Sequence, residues 1–180
     1  MRIISGKFKG KKLFHPTDEK TRPLKDLVKE SIFNLIEHSN NFNLEIKNSN
    51  ILDLFSGTGS FGLECLSRGA RSITFIENYK LIIKILKKNI QSVNGEKNST
   101  LIEEDCFDYF SKEKNFNNKF DIIFLDPPYK DKNLDKLFSK IEIIEILNND
   151  GIIILHRHKN EKDFFPSNYK IIEEKKYGIS

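Results

Sequence analysis

The chain has 180 residues, 31% of them charged and 38% hydrophobic, with a formal net charge of +4, which suits a water-exposed globular protein of one domain with a full core. No apolar run approaches the roughly 20 residues that cross a bilayer, and the N-terminal MRIISGKFKGKKLF has no continuous apolar stretch of the signal-peptide kind, so neither a membrane nor a secretory address is expected. Cys65 and Cys106 show no metal-ligand spacing, and a reducing compartment, the cytoplasm, is the simpler reading.

The charge is uneven. Arg2, Lys7, Lys9, Lys11 and Lys12 carry +5 with no acid among the first 12 residues, leaving about −1 for the remainder. A phosphate backbone is one partner for such an arm, and bulk solvent is the other. Arg2–Phe14 has two apolar pieces, Ile3-Ile4 and Leu13-Phe14, with Gly6 and Gly10 between them, which predicts a small β-hairpin with a lysine-rich turn. After a polar loop carrying Thr21-Arg22-Pro23, residues Leu24 to Ile36 predict a helix with Leu24, Leu27, Val28, Ser31, Ile32, Leu35 and Ile36 on one face. His38–Asn50 reads mainly as a linker.

An alternating pattern follows. Strand 51–55 leads through the glycine-rich Ser56–Ser60 into a helix over 60–68, stopped by Gly69. Strand 72–77 precedes a helix over 79–93 with Leu81, Ile82, Ile85 and Leu86 inward, ended by Asn94-Gly95. Strand 100–103 leads to Asp105 and a short helix over 106–112. FDIIFL at 120–125 is the strongest buried strand, and Asp126-Pro127-Pro128-Tyr129 ends it. A helix over 133–147, a strand over 152–155 and a last strand candidate over 169–173 complete the chain. Alternation of this kind implies an α/β fold, a mainly parallel sheet with helices on both faces, whose ligands bind at the carboxyl ends of the strands.

Four acids fall at those ends: Asp53, Glu77, Asp105 and Asp126. Each alone reads as a turn residue or helix cap; together they converge on one edge of one sheet. Gly57-x-Gly59-x-x-Gly62 matches the dinucleotide fingerprint, with Glu77 where an acid would bind ribose hydroxyls. Asp53 argues against NAD, because a carboxylate beside the loop repels a pyrophosphate. It suits a ligand with ammonium and sulfonium charge, and S-adenosylmethionine has both, plus a ribose for Glu77 and an adenine amine for Asp105. In Asp-Pro-Pro-Tyr two successive prolines stiffen the backbone. The Asp126 carboxylate and the Pro127 carbonyl are acceptors for the two hydrogens of an exocyclic amine, and Tyr129 can stack on its base. The alternative is a strand-ending turn with Tyr129 at its edge. His15 and His38 read as surface residues, and His156 and His158 as a polar strand end around Arg157.

The motifs LDLFSGTGSFGLE, Glu77, EEDCF at 103–107 and DPPY at 126–129 resemble those of class I S-adenosylmethionine-dependent amino-methyltransferases. RIISGKFKGKKL at 2–13, TRP at 21–23, VKESIFN at 28–34 and LSRGA at 66–70 are similar to the bacterial 16S ribosomal RNA guanine-N2 methyltransferases of the RsmD type. The resemblance covers essentially the whole chain. It implies a seven-stranded Rossmann-like sheet and a single methyltransferase domain over 1–180, with a basic hairpin and helix over 1–38 and a catalytic core over 51–176. It implies S-adenosylmethionine held by Asp53, Phe55, Gly57, Gly59, Glu77, Asp105 and Cys106, with Thr21 and Arg22 closing the pocket. The target base falls to Asp126, Pro127, Pro128 and Tyr129, and the RNA backbone to Arg2, Lys7, Lys9, Lys11 and Lys12. The partner implied is 16S ribosomal RNA in the small subunit or its assembly intermediate; a monomer is the default expectation, and the transfer needs no metal. An adenine-N6 amino-methyltransferase, a non-catalytic RNA binder with this fold and an NAD-dependent oxidoreductase are the alternatives. Leu24 and His156 depart from the family pattern, which has a threonine and an acid there. The final antiparallel strand after Tyr177-Gly178 is expected to be missing or very short.

Overall fold

The computed structural model describes residues 1–16, 24–112, 119–128, 131 and 133–178. In chain order the elements are α1 (Asp26–His38), β1 (Asn50–Leu54), α2 (Ser60–Ser67), β2 (Ser72–Ile76), α3 (Lys80–Ser92), β3 (Ser99–Ile102), α4 (Cys106–Lys112), β4 (Phe120–Leu125), α5 (Leu134–Ile143) and β5 (Leu147–Leu155). The five strands form one sheet in the order β3-β2-β1-β4-β5, every neighbouring pair parallel. β1 therefore lies in the middle, and the order reverses beside it, between β1 and β4.

The period of two along each strand separates two cores. Ile51, Ile73, Phe75, Ile122 and Phe124 face α1, α2 and α3, whereas Leu52, Leu54, Ile76, Ile123 and Leu125 face α4 and α5. On the first face an aromatic column runs from helix to sheet: Phe33 stacks on Phe61 at 5.2 Å and Phe61 on Phe124 at 4.0 Å. Among the described residues no helix is long and apolar enough to cross a membrane.

The N-terminal segment is a narrow hairpin with one antiparallel bridge, Arg2 to Lys12, rather than two full strands. Polar side chains of the helices beneath hold it. Glu64 of α2, fully buried, accepts the Ile4 and Ser5 backbone N–H groups at 2.7 and 2.9 Å. It also accepts Arg68 Nε at 3.0 Å, and Lys29 Nζ of α1 lies 3.6 Å away. Lys29, itself fully buried, donates to the Arg2 carbonyl at 2.6 Å and to Ser60 Oγ at 3.2 Å. Burial lowers the pKa of Lys29, and the charge of Glu64 works the other way. Gly6 sits flat on the end of α2: with φ of +78° it adopts a left-handed backbone, and a Cβ there would lie 1.9 Å from the Ser67 carbonyl oxygen.

Four sequence expectations change. In α1 the inward face is Val28, Lys29, Phe33 and Ile36, and Leu27 is 67% exposed, because burial of Lys29 in its ion pair rotates the helix away from its apolar stripe. In α3 Leu81 is exposed and Asn89 is fully buried, again because a polar side chain has partners inside. Helix α5 stops at Ile143, after which Glu145 takes a left-handed φ of 49°, and β5 starts early at Leu147. Residues 169–173 form no strand. Ile171 and Ile172 are exposed, and this segment is tied back by side chains, with Asn41 donating to Glu173 at 2.9 Å and Tyr177 bonded to Ser31. The sheet thus has five strands among the described residues, not seven.

Glu64→Ala is expected to destabilise the fold by about 3–5 kcal/mol, since it leaves the Lys29 ammonium buried without its counterion. Urea denaturation measures the loss, and faster amide exchange at Ile4 and Ser5 locates it in the hairpin.

Candidate active site

The carboxyl ends of β1, β2, β3 and β4 share one edge of the sheet. Asp53 is the fourth residue of β1, Glu77 follows β2, Asp105 precedes α4 and Asp126 follows β4. The four acids expected to converge are brought to this edge.

The loop between β1 and α2 is shaped by its own backbone. Phe55, Gly57 and Gly59 all have positive φ, at 56°, 54° and 78°. Gly59 needs to be glycine for a second reason, because a Cβ there would stand 2.4 Å from Leu86 Cδ1 of α3. At Gly57 nothing but the Phe55 carbonyl oxygen comes within 4.0 Å of an added Cβ, so this side of the loop is open to a ligand. Ser56 staples the loop between strands: its N–H donates to the Ile76 carbonyl at 3.1 Å, and its hydroxyl to the Asp53 carbonyl at 2.5 Å.

Asp53 is 1% exposed, and its Oδ2 accepts the Gly62 N–H at 3.0 Å. Burial pushes its pKa well above the usual carboxylate range; the Gly62 N–H opposes this, and the charges of Asp126 and Glu77 add to it. The site is short of positive charge at this point. An ammonium- and sulfonium-bearing group against the open side of the loop would supply it, and to that extent these residues fit such a group. Glu77 is more generously held. Its Oε2 accepts the Gly57 N–H at 2.8 Å, and its Oε1 accepts those of Asn78 and Tyr79 at 3.0 and 2.9 Å. Asp105 Oδ1 caps α4 through the Phe107 N–H at 2.9 Å, and its Oδ2 accepts Asn78 Nδ2 at 2.9 Å. The Cys106 side chain is buried in the second core, where burial raises its pKa. Phe55 meets Phe107 edge-on, with ring centroids 6.2 Å apart.

Asp126 is held from the neighbouring strand: its Oδ1 receives His156 Nδ1 at 2.8 Å. Pro127 is buried and Pro128 exposed. Thr21, Arg22 and Tyr129 lie outside the described residues. Arg2, Lys7, Lys9, Lys11 and Lys12 are exposed along the hairpin. The hairpin lies along α2, with Met1 Sδ near Thr58 Oγ1 of the glycine loop at 3.5 Å and Lys7 N–H on Ser67 O at 2.8 Å. Arg2 and Lys12 therefore stand at its loop end, and Lys7 and Lys9 at the other.

Three side chains that hold the acids or the glycine loop leave little trace in the sequence. His156 reads there only as a polar strand end; its one signal is register, since Leu125 pairs with Leu155 and each strand then contributes its next residue. Asn78 links Glu77 and Asp105, and Asn89 ties Phe14 N–H at 2.7 Å to the Thr58 carbonyl at 2.9 Å. Neither stands in a spacing that marks it. Two surface hollows, of about 550 Å³ beside Asp121 and Asn148 and about 400 Å³ between α4 and α5, contain none of the four acids. Among the described residues no cluster of three or more His, Cys, Asp or Glu side chains could hold a metal ion.

The model of a family described as "Conserved hypothetical protein 95" matches residues 1–180. The chain is 33% identical to the Ribosomal RNA small subunit methyltransferase D of Haemophilus influenzae over 180 residues, covering 99% of this chain and 90% of that protein. Among solved structures it is similar to a putative methyltransferase of Escherichia coli, with a TM-score of 0.84, 28% identity and coverage of 99% and 93%. A more distant neighbour, a putative methyltransferase complexed with SAH, has a TM-score of 0.58 at 25% identity, covering 72% of this chain and 34% of that one.

The raised pKa of Asp53 carries a sign that can be measured. The folded state binds this proton more tightly than the unfolded chain, so stability falls as pH rises from the ordinary carboxylate range through the folded pKa. Asp53→Asn, which keeps an acceptor for Gly62 and removes the charge, is expected to raise the melting temperature of the ligand-free protein at pH 8. That advantage shrinks toward pH 4. Thermal scans across this range check it; an advantage that does not change with pH contradicts it.

Proposed function

The chain belongs to the conserved hypothetical protein 95 family, and on that premise we propose that it methylates the exocyclic N2 amine of a guanine in 16S ribosomal RNA, using S-adenosylmethionine. The observation that carries this reading is the pairing of a cation-seeking carboxylate, Asp53, with a second carboxylate, Asp126, at the head of two successive prolines on the adjacent strand. The first suits a methyl donor and the second a methyl acceptor. The SAH named for one structural neighbour is what such a donor becomes once its methyl group has left.

In this reading the buried Asp53 and the open side of Gly57 take the charged amino-acid portion of the cofactor. Glu77, with its carboxylate oriented by three peptide N–H groups, faces the ribose. Asp105 and the backbone of Cys106 take the adenine, beside Phe55. Bound S-adenosylmethionine supplies an electrophilic methyl group on sulfonium sulfur. The chain's own work is on the acceptor. The lone pair of the guanine amine is delocalised into its ring, which makes it a poor nucleophile. Asp126 Oδ1 is committed to His156, so Oδ2 is the oxygen that accepts one N–H of the amine. The Pro127 carbonyl accepts the other. These two bonds favour a pyramidal nitrogen and offset the positive charge that grows on it. Positioning of this kind is worth about 7–11 kcal/mol in well-oriented reactions. The base has to leave its stack to reach the site, and Tyr129 is the residue proposed to stack on it. Thr21 and Arg22 are proposed to close the pocket.

The exposed basic residues of the hairpin grip RNA phosphates and set orientation without reading bases. The whole chain acts as one methyltransferase domain, a monomer in the cytoplasm that meets its RNA in the small subunit or an assembly intermediate.

The test is methyl transfer from labelled S-adenosylmethionine to unmodified small ribosomal subunits, protein-free RNA and DNA, followed by nucleoside analysis. N2-methylguanosine from the subunits is the expected product. N6-methyladenosine or a preference for DNA overturns the substrate assignment. Asp126→Ala is expected to lower kcat by about 10²–10³-fold, the scale of losing one preorganised polar group, with cofactor affinity unchanged in calorimetry. Charge reversal at Lys11 and Lys12 is expected to weaken RNA binding and to reduce the slope of log affinity against log salt by roughly one for each phosphate no longer neutralised. An unchanged slope removes the arm from the interface.

A further inference from the structure

Two prolines in a row leave the turn after β4 without N–H groups at positions 127 and 128, so its backbone has few donors with which to hold itself. Its acceptors are gripped from outside, by the two residues that follow β5. The parallel ladder runs Leu125 to Leu155 and continues with His156 N–H on the Leu125 carbonyl at 2.9 Å, which sets the His156 ring beside Asp126. His156 Nδ1 meets Asp126 Oδ1 at 2.8 Å, with the two side chains 8% and 22% exposed. A carboxylate only accepts, so the ring proton is assigned to Nδ1. His156 Nε2 is buried without a hydrogen-bond partner among the described residues, and a proton there would be a buried donor with no acceptor.

Arg157 holds the rest of the turn. Its Nη1 donates to the Pro128 carbonyl at 3.1 Å and its Nη2 to the Asp131 carbonyl at 2.6 Å. On its other side Nε and Nη2 form a two-pronged pair with the Asp163 carboxylate at 3.1 and 3.0 Å. Arg157 and Asp163 side chains are 9% and 11% exposed, so this pair is well shielded from water. A planar five-donor guanidinium makes this set of bonds, and an ammonium does not.

We propose that His156 and Arg157 are positioning residues for methyl transfer: His156 fixes the rotation of the Asp126 carboxylate so that Oδ2 alone faces the acceptor amine, and Arg157 fixes the turn that carries it. This rests on the reading of Asp126 as the acceptor of that amine. Neither residue touches substrate or cofactor in this proposal; both act through Asp126.

Two measurements test it. The first needs no substrate. In the full chain labelled with ¹⁵N-histidine, the His156 ring, assigned by its loss in His156→Asn, is expected as the Nδ1–H tautomer with a slowly exchanging proton. That protection disappears in Asp126→Ala. An Nε2–H tautomer, or a signal indifferent to Asp126→Ala, overturns the proposal. The second is kinetic. Asn places its amide nitrogen where imidazole places Nδ1, and Gln places it where imidazole places Nε2. His156→Asn is therefore expected to retain kcat, while His156→Gln and His156→Ala lose on the order of 10²-fold, the scale of a misplaced reacting group. KM for S-adenosylmethionine stays unchanged in all three. Arg157→Lys is expected to lower kcat with the same KM. Equal activity of the Asn, Gln and Ala variants and the wild type overturns the proposal. If the wild type methylates none of the RNA substrates, the proposed function falls, and the tautomer measurement still decides whether His156 holds Asp126.

Discussion

Glu64 is where the N-terminal arm and the core are joined. An isolated carboxylate at full burial is untenable, and this one is tolerated because four donors converge on it: two peptide N–H groups of the arm, Arg68 of its own helix and Lys29 of α1. Such a cluster contributes little net stability compared with a well-packed apolar one, but breaking it is costly. Its consequence is register. A hairpin shifted by one residue would take Ile4 and Ser5 out of reach of the carboxylate. It would also move Gly6 from the point where any side chain meets the Ser67 carbonyl oxygen at 1.9 Å. The arm is therefore seated in one way only.

The same polar residues that seat the arm also brace the glycine loop from behind. Lys29 reaches both the Arg2 carbonyl and Ser60, the first residue of α2. Asn89 binds Phe14 through both its N–H and its carbonyl, and it donates to the Thr58 carbonyl within the loop. Lys29 and Asn89 thus each bind the arm on one side and the loop or the start of α2 on the other, so the surface proposed for RNA and the loop proposed for the cofactor share the same two supporting side chains. A helix of eight residues, α2, carries this link along its length.

Which parts of this were legible in the sequence follows from which forces leave a local trace. Largely apolar runs such as Ile51–Leu54 and Phe120–Leu125, each broken by a single aspartate, mark central parallel strands, because both of their faces are covered. The glycine loop and the strand-end acids follow from that alternation and from the topology rule. Apolar periodicity misplaces the inner faces of α1 and α3 for one reason. Lys29 and Asn89 are buried by partners distant in sequence, and a pattern that counts only apolar residues turns them outward. His156 escapes for a related reason: nothing near it in sequence pairs with it, and Asp126 lies 30 positions earlier. The 169–173 stretch fails in the other direction. Its β-branched pair, Ile171-Ile172, has strand propensity but no ladder partner, and propensity without pairing does not make a strand.

The strand-end acids show that a capping role and a ligand-binding role need not compete. Asp105 caps α4 and Glu77 braces the turn before α3, as a turn reading predicts, yet a carboxylate has about four acceptor positions. Peptide donors occupying some of them aim the rest at fixed angles. Asp53 is different in kind. It has one peptide donor, complete burial and two like charges nearby, so its ionised form weakens the empty fold. Groups that cost stability cluster where a ligand restores the balance. The burial that makes Asp53 costly is imposed by α2 packing over β1, and the same packing delivers the Gly62 N–H to it. The cost of ionising Asp53 and its partial relief by the Gly62 N–H therefore come from the same β1–α2 crossover.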